Sequence, residues 1–213
     1  VPTTEGITNW IVDTIANPGD PIASTTTQVF DLTVSTDLYT STGAGASVFN
    51  AYDVSGNPTW TTGDQLTGNA GVDTLNVVTS SNIANPTASS VNGIEIVNMT
   101  TSGKINLDAT GFTGMTALTT QSVGDTTISA GSTANVVATD TQSTGVVAIN
   151  GGNNVTFTAT GVTTGTTTIG ATTAAAGNVV VSSTAASGTQ GAIAVTGGDT
   201  VTVTTNTSNA VNT

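Results

Sequence analysis

The 213-residue chain carries 13 acidic side chains against one basic side chain, Lys104, which gives a formal net charge of −12. This charge repels nucleic-acid phosphates and anionic lipid headgroups, so neither nucleic acid nor a membrane surface is an expected partner, whereas Ca²⁺ is. The chain has no Cys and no His, which excludes disulfides, thiol chemistry, the usual zinc sites and His-based acid–base catalysis.

The composition favours β structure. Hydrophobic residues make up 36% of the chain and are mostly Val, Ile and Ala, while charged residues make up only 7%. Thr is abundant, and its branched Cβ favours the extended backbone of a strand. No apolar run is long enough for a transmembrane segment. These features predict a thin, strand-rich fold with a narrow core.

Residues 1–27 differ from the rest and form a lead-in segment. Ile7, Trp10, Ile11 and Ile15 have helical spacing, and the following Asn17-Pro18-Gly19 would end a helix. We therefore predict a short helix over residues 5–16. A flexible lead-in is the alternative.

Residues 28–213 show short strand patterns separated by turns rich in Gly, Asn, Ser and Asp. This region is predicted to be one β domain belonging to a longer protein. The strand candidates are 29–34, 75–78, 94–97, 146–149, 155–158, 178–181, 192–195 and 201–204.

Internal repeats indicate how these strands stack. The segment Ala148–Thr158 matches Ala194–Thr204 at an offset of 194 − 148 = 46, which fits two coils of a solenoid. Apolar residues that would each point inward from one coil recur at intervals of 20 to 26 positions: Ile105, Ile128, Ile149, Ile169 and Val195. We predict an all-β, calcium-stabilised β-solenoid, or parallel β-helix, with irregular coils. A β-sandwich is the alternative.

One motif indicates metal chemistry. Gly68–Asn76 fits the calcium-binding nonapeptide G-G-x-G-x-D-x-U-x except that Asn69 replaces the second Gly, a residue expected to tolerate a left-handed backbone. The D-x-U half of a preceding copy, Asp64-Gln-Leu66, stands nine residues before Asp73-Thr-Leu75. Ca²⁺ prefers carboxylate and carbonyl oxygens in flexible geometry. We therefore expect Asp64 and Asp73 to bind one ion or adjacent ions. A hairpin turn without an ion is the alternative.

Backbone carbonyls of Gly68 and Gly71 are expected to complete the shell of that ion. The other acidic residues are less distinctive. Glu95 is either an ion ligand or a solvated strand residue. Four further aspartates stand in turn-like contexts and are predicted to be exposed: Asp108, Asp125, Asp140 and Asp199.

The chain resembles the repeats-in-toxin (RTX) surface-layer (S-layer) proteins that type I secretion exports. The resemblance rests on Gly63–Leu75, Gly93-Ile-Glu95, Gly161–Gly170, Gly191–Gly198 and Ser208–Thr213. It implies a calcium-stabilised solenoid that associates with itself into an extracellular lattice on a bacterial cell. It also implies attachment to lipopolysaccharide through an N-terminal helical domain that lies outside these residues.

One stretch departs from the family pattern. In residues 36–49 the family has another turn that ends in Asp, and Ala46 stands near that position. The resemblance therefore leaves Asp37 as an ion ligand in a degraded site.

The expected function is structural rather than enzymatic, because a catalytic groove needs aromatic, basic and acidic residues that are scarce here. An RTX-type adhesin or biofilm-matrix filament is the main alternative, since it uses the same scaffold. An ice-binding solenoid with ranks of Thr-x-Thr is a third hypothesis, suggested by Val155–Thr158 and Val201–Thr204.

Overall fold

A computed structural model describes residues 26–141, 145–161, 165–185 and 190–207. Within these ranges the regular secondary structure is entirely β-strand, so the all-β prediction is confirmed. The part of the chain that the structure describes contains no helix that could span a lipid bilayer. The helix predicted over residues 5–16 lies outside the described residues.

The largest element is a parallel sheet that gains one strand from each coil. Its nine strands lie side by side in chain order, and turns and shorter strands connect each strand to the next. They are β1 (Gln28–Asp31), β3 (Ser47–Tyr52), β5 (Thr74–Thr79), β8 (Ile96–Thr101), β10 (Ala117–Ser122), β12 (Asn135–Asp140), β14 (Val155–Thr160), β16 (Val179–Ala185) and β18 (Val201–Thr207).

Two smaller parallel sheets complete the coils. A three-stranded sheet consists of β2 (Leu38–Thr40), β4 (Gln65–Thr67) and β7 (Ser90–Asn92). A six-stranded sheet begins in the coil that also contains β7 and consists of β6 (Ile83–Ala84), β9 (Ile105–Ala109), β11 (Thr126–Ala130), β13 (Val147–Gly151), β15 (Thr167–Ile169) and β17 (Ile193–Val195).

The coils are irregular in length. The pairing of Ala117 with Asn135 advances the chain by 135 − 117 = 18 residues, whereas that of Val48 with Thr74 advances it by 74 − 48 = 26. Every pairing between the described strands is parallel, which excludes the β-sandwich alternative, because a sandwich is built from antiparallel strands. The predicted β-solenoid with irregular coils is confirmed.

The core is a narrow set of columns that run along the solenoid. Alternate residues of each strand point inward, and aligned residues of successive coils stack on one another. One such column contains Phe49, Leu75, Val97, Leu118, Val136, Val155 and Val179, all fully buried. Burial of each large apolar side chain contributes roughly 1.5–3 kcal/mol, so stability accumulates coil by coil.

The internal repeat corresponds to two coils, as predicted. Ala148 pairs with Thr168, and Thr168 pairs with Ala194, which accounts for the offset of 46. The predicted inward residues Ile128, Ile149, Ile169 and Val195 form one column. Ile105 is also buried but lies in a neighbouring column, and Leu107 takes the place opposite Ile128.

The prediction that Asp140 is an exposed turn residue is wrong. It is the last residue of β12, where Val136, Ala138 and Asp140 alternate inward, and it is fully buried. The inward-facing alternation of this strand thus includes a charged residue at its end. Asp108 is exposed as predicted, but it lies within strand β9 rather than in a turn. Asp199 is exposed in a turn, and the side chain of Asp125 is 40% exposed.

Candidate functional site

Four acidic residues stand at two corners of the first four coils. Asp37, Asp64, Asp73 and Glu95 each stand directly before a strand, at β2, β4, β5 and β8 respectively. Turn residues precede them, and the strand that follows fixes the height of each carboxylate along the solenoid. Register then decides which of these side chains meet.

The first stack contains Asp37 and Asp64. Asp64 is fully buried, and its Oδ1 accepts the backbone N–H of Asp37 at 2.8 Å. Its Oδ2 accepts the N–H of Thr61 at 2.6 Å, within its own turn. Asp37 repeats this turn, since its Oδ2 accepts the N–H of Thr33 at 2.7 Å.

The second stack contains Asp73 and Glu95. Asp73 is fully buried, and its Oδ2 accepts the N–H of Asn69 in its own turn at 2.5 Å. Its Oδ1 accepts the N–H of Ser47 on the preceding coil at 2.5 Å. Glu95 in turn accepts the N–H of Asp73 through Oε2 at 2.8 Å. Asp64, Asp73 and Glu95 therefore each bind the backbone of the preceding coil.

No basic side chain compensates these charges. Lys104 is the single basic residue of the sequence, and its Nζ lies 2.5 Å from Oδ2 of Asp125, in another turn. Burial raises the pKa of the Asp64 carboxyl above its ordinary value, and the negative charge of Asp37 raises it further. The N–H groups of Thr61 and Asp37 act in the opposite direction, because they stabilise the carboxylate.

Two glycines of the motif lie against peptide oxygens of neighbouring coils. A Cβ at Gly68 would collide with the carbonyl oxygen of Gly93 and with Oδ2 of Asp73. A Cβ at Gly71 would lie 2.5 Å from the carbonyl oxygen of Gly45. Glycine is required at both positions because backbone oxygens approach so closely. The turn is consequently lined by carbonyl and carboxylate oxygens.

The prediction for Asn69 is wrong in its mechanism. Asn69 does not adopt a positive φ. Its Oδ1 instead accepts the N–H of Gly71 at 2.6 Å, and its Nδ2 donates to Oγ of Ser47 at 3.3 Å. Asn replaces Gly here because its side chain forms a local turn with its own backbone.

Register also corrects the position of the missing acidic residue. Val48 pairs with Thr74, which places Ser47, rather than Ala46, opposite Asp73. Ser47 is fully buried, and it occupies the position that carries a carboxylate in each of the next two coils. The second stack therefore consists of Ser47, Asp73 and Glu95.

The structure does not bring Asp64 and Asp73 together in one stack. Asp64 precedes a strand of the three-stranded sheet, whereas Asp73 precedes a strand of the nine-stranded sheet. Asp64 is aligned with Asp37, and Asp73 with Glu95. Each stack thus pairs carboxylates from consecutive coils.

The donor set of each stack fits a hard cation. Carboxylate and peptide oxygens are the ligands that Ca²⁺ prefers. Each carboxylate oxygen of Asp73 has one backbone N–H partner, which leaves lone-pair capacity for a cation. Among the described residues no three acidic side chains form a single metal-binding group, so carbonyl oxygens would have to supply most ligands.

The sequence matches no protein-family model and no curated protein.

The backbone partners of the acidic residues could not be identified from the sequence. The N–H groups of Asp37 and Ser47 and the carbonyls of Gly45 and Gly93 reach the turns through coil register alone. No residue type marks these backbone groups in advance.

Proposed function

We propose that this chain is a calcium-binding, non-catalytic structural segment of an RTX-type S-layer protein, which assembles with copies of itself on the outer surface of a bacterial cell. The observation that carries the proposal is the pair of acidic stacks, Asp37 with Asp64 and Asp73 with Glu95, which have no basic partner.

Calcium would neutralise the mutual repulsion of the carboxylates within each stack. Asp37 and Asp64 would hold one ion. Asp73 and Glu95 would hold another, together with the carbonyl oxygen of Gly93, which lies against Gly68. Binding would tie consecutive coils together, because the ligands of each ion come from more than one coil.

The proposed extracellular location and the proposed calcium binding are consistent with each other. Extracellular calcium modules have dissociation constants of about 10⁻⁴–10⁻³ M, far above the free calcium concentration of a cytosol. The chain would therefore take up its ions only after export, which suits type I secretion. Before export the carboxylates would repel each other and keep the first coils loose.

The irregular coils favour a lattice over a filament. Their lengths vary from 18 to 27 residues, whereas the stalk of an adhesin is expected to repeat at a fixed period. The ranks of an ice-binding surface are also incomplete. Thr156 and Thr158 point outward on β14, but Val180 takes the first of these two positions on the next strand.

Electron microscopy of the protein with millimolar calcium, and with a chelator in place of calcium, tests this proposal. Ordered two-dimensional sheets that form only with calcium would support the S-layer function. Long fibres would support the matrix-filament alternative, and single particles under both conditions would contradict self-assembly.

A further inference from the structure

The outward side of the nine-stranded sheet carries no charge from β3 to β18. Asp140 is the single charged residue in these eight strands, and it points into the core. We call the outward residues of these eight strands the uncharged face. Its central column runs through Asn50, Asn76, Asn98, Thr119, Val137, Thr156 and Val180 and ends at Thr202.

Most charged residues of the described chain lie instead at the turns. Asp53, Asp64, Asp73, Glu95 and Asp199 all stand between strands. With a net charge of −12, two copies that meet through their turns would oppose like charges. Two copies that meet through their uncharged faces would not.

We propose that the uncharged face packs against the same face of a second copy, an inference that rests on the proposed self-assembly. Exposed valines supply apolar contact, since Val78, Val137 and Val180 are 45%, 44% and 41% exposed. Hydroxyl and amide side chains alternate with them and can hydrogen-bond across the interface. Identical strand spacing in both copies lets the two sheets interdigitate, about 10 Å apart.

The size of the face is sufficient for a specific interface. Eight strands at about 4.8 Å spacing span roughly 34 Å, and six residues of a strand span roughly 20 Å. The resulting area of about 700 Å² per copy approaches the roughly 800 Å² that each partner contributes to a standard interface. When the same face of two copies meets in this way, the interface is two-fold symmetric and closes into a dimer.

The opposite, six-stranded sheet offers a matched control surface. Thr127 and Ala148 lie opposite each other on adjacent strands and point outward, as Val137 and Thr156 do on the uncharged face. The double variant V137E/T156E places two like charges on the uncharged face. The double variant T127E/A148E places the same two charges on the control surface.

Sedimentation velocity in millimolar calcium tests the inference on the full chain. We expect the wild type and T127E/A148E to sediment as dimers or larger species, and V137E/T156E to sediment as a monomer with at least a tenfold weaker association constant. An unchanged melting temperature of V137E/T156E at low concentration establishes that it folds.

Two results overturn the inference in different ways. If V137E/T156E associates as tightly as the wild type, the face is wrong while self-assembly stands. If the wild type itself remains monomeric, self-assembly fails, and the proposed S-layer function fails with it.

Discussion

The carboxylate of Asp73 accepts the backbone N–H of Ser47, 26 residues earlier in the chain and one coil away, at 2.5 Å. The same carboxylate accepts the N–H of Asn69 within its own turn. One fully buried side chain therefore satisfies two backbone donors from two coils. Asp73 has a structural role that does not depend on any ion.

This role predicts a loss of stability when the side chain is shortened. Asp73→Ala leaves the N–H of the buried Ser47 and the N–H of the half-buried Asn69 without their acceptor, and a buried group left in this way costs about 1–3 kcal/mol. In chelator we expect urea unfolding to show a loss of about 2–5 kcal/mol for Asp73→Ala and a smaller loss for Asp73→Asn, which keeps one acceptor oxygen. Asp199→Ala removes an exposed carboxylate and should change stability by less than about 0.5 kcal/mol. Equal stabilities of Asp73→Ala and Asp199→Ala would refute the role.

Calcium gives a second, separable prediction. An ion that binds only the folded state stabilises it by RT ln(1 + [L]/Kd), about 2.7 kcal/mol at one hundred times Kd. We expect the melting temperature of the wild type to rise in millimolar calcium and to fall in chelator. Asp73→Ala should lose the part of this rise that comes from the second stack, because that ligand set is incomplete while Asp37 and Asp64 remain, in addition to its loss of stability in chelator.

Asp199→Ala is the matched control for the calcium response and should retain the full rise. Asp140 would be unsuitable as a control position, because it is fully buried and its removal would destabilise the core. Differential scanning calorimetry with calcium and with chelator measures both quantities. Identical melting temperatures of the wild type under the two conditions would remove the metal assignment.

The overall fold was predictable where apolar residues alternate. Val155–Thr158 and Val201–Thr204 are recognisable as strands because an apolar residue stands at every second position. Val155 and Phe157 are fully buried, whereas Val201 and Val203, in the last described strand, are each 45% exposed and align with the buried Val179 and Val181. Strand β7 was not predictable, since Ser90-Val-Asn92 contains one apolar residue and is held by its pairing with β4. Sequence patterns report burial, and a strand defined by neighbouring coils has little pattern of its own.

The candidate site was predictable only in part, because coil lengths vary. The nine-residue spacing marks Asp64 and Asp73 as a related pair. The actual partners of Asp73 lie 26 residues before it and 22 residues after it, at Ser47 and Glu95, and the partner of Asp64 lies 27 residues before it, at Asp37. No fixed period joins these positions, so the stacks appear only once the register of the sheet is established.

Close packing of the motif turn predicts strong discrimination between glycines. Gly68→Ala would drive a methyl group into the carbonyl oxygen of Gly93, and such overpacking costs about 1–3 kcal/mol. Gly131→Ala has open space around the added methyl group and should be close to neutral. Urea unfolding of the two variants in calcium measures the difference. Equal effects would show that the coils do not approach at Gly68.

A gain of function provides the last prediction. Ser47 is fully buried and aligned with Asp73, so Ser47→Asp would extend the second stack to three carboxylates. In chelator the added buried charge has no counter-ion and should lower the unfolding free energy by at least about 1–3 kcal/mol. In millimolar calcium the extra oxygen ligands should recover this loss, so the calcium-dependent rise in melting temperature should exceed that of the wild type.

Ser132→Asp adds the same charge to an exposed turn with no stacked carboxylate and should leave the rise unchanged. Calorimetry of both variants with calcium and with chelator separates the outcomes. A Ser47→Asp protein that is destabilised equally under both conditions would show that the stack holds carboxylates apart without binding calcium between them. A larger rise for Ser47→Asp alone would identify the aligned turns as the place where the ion binds, because the two variants differ only in where the new carboxylate stands.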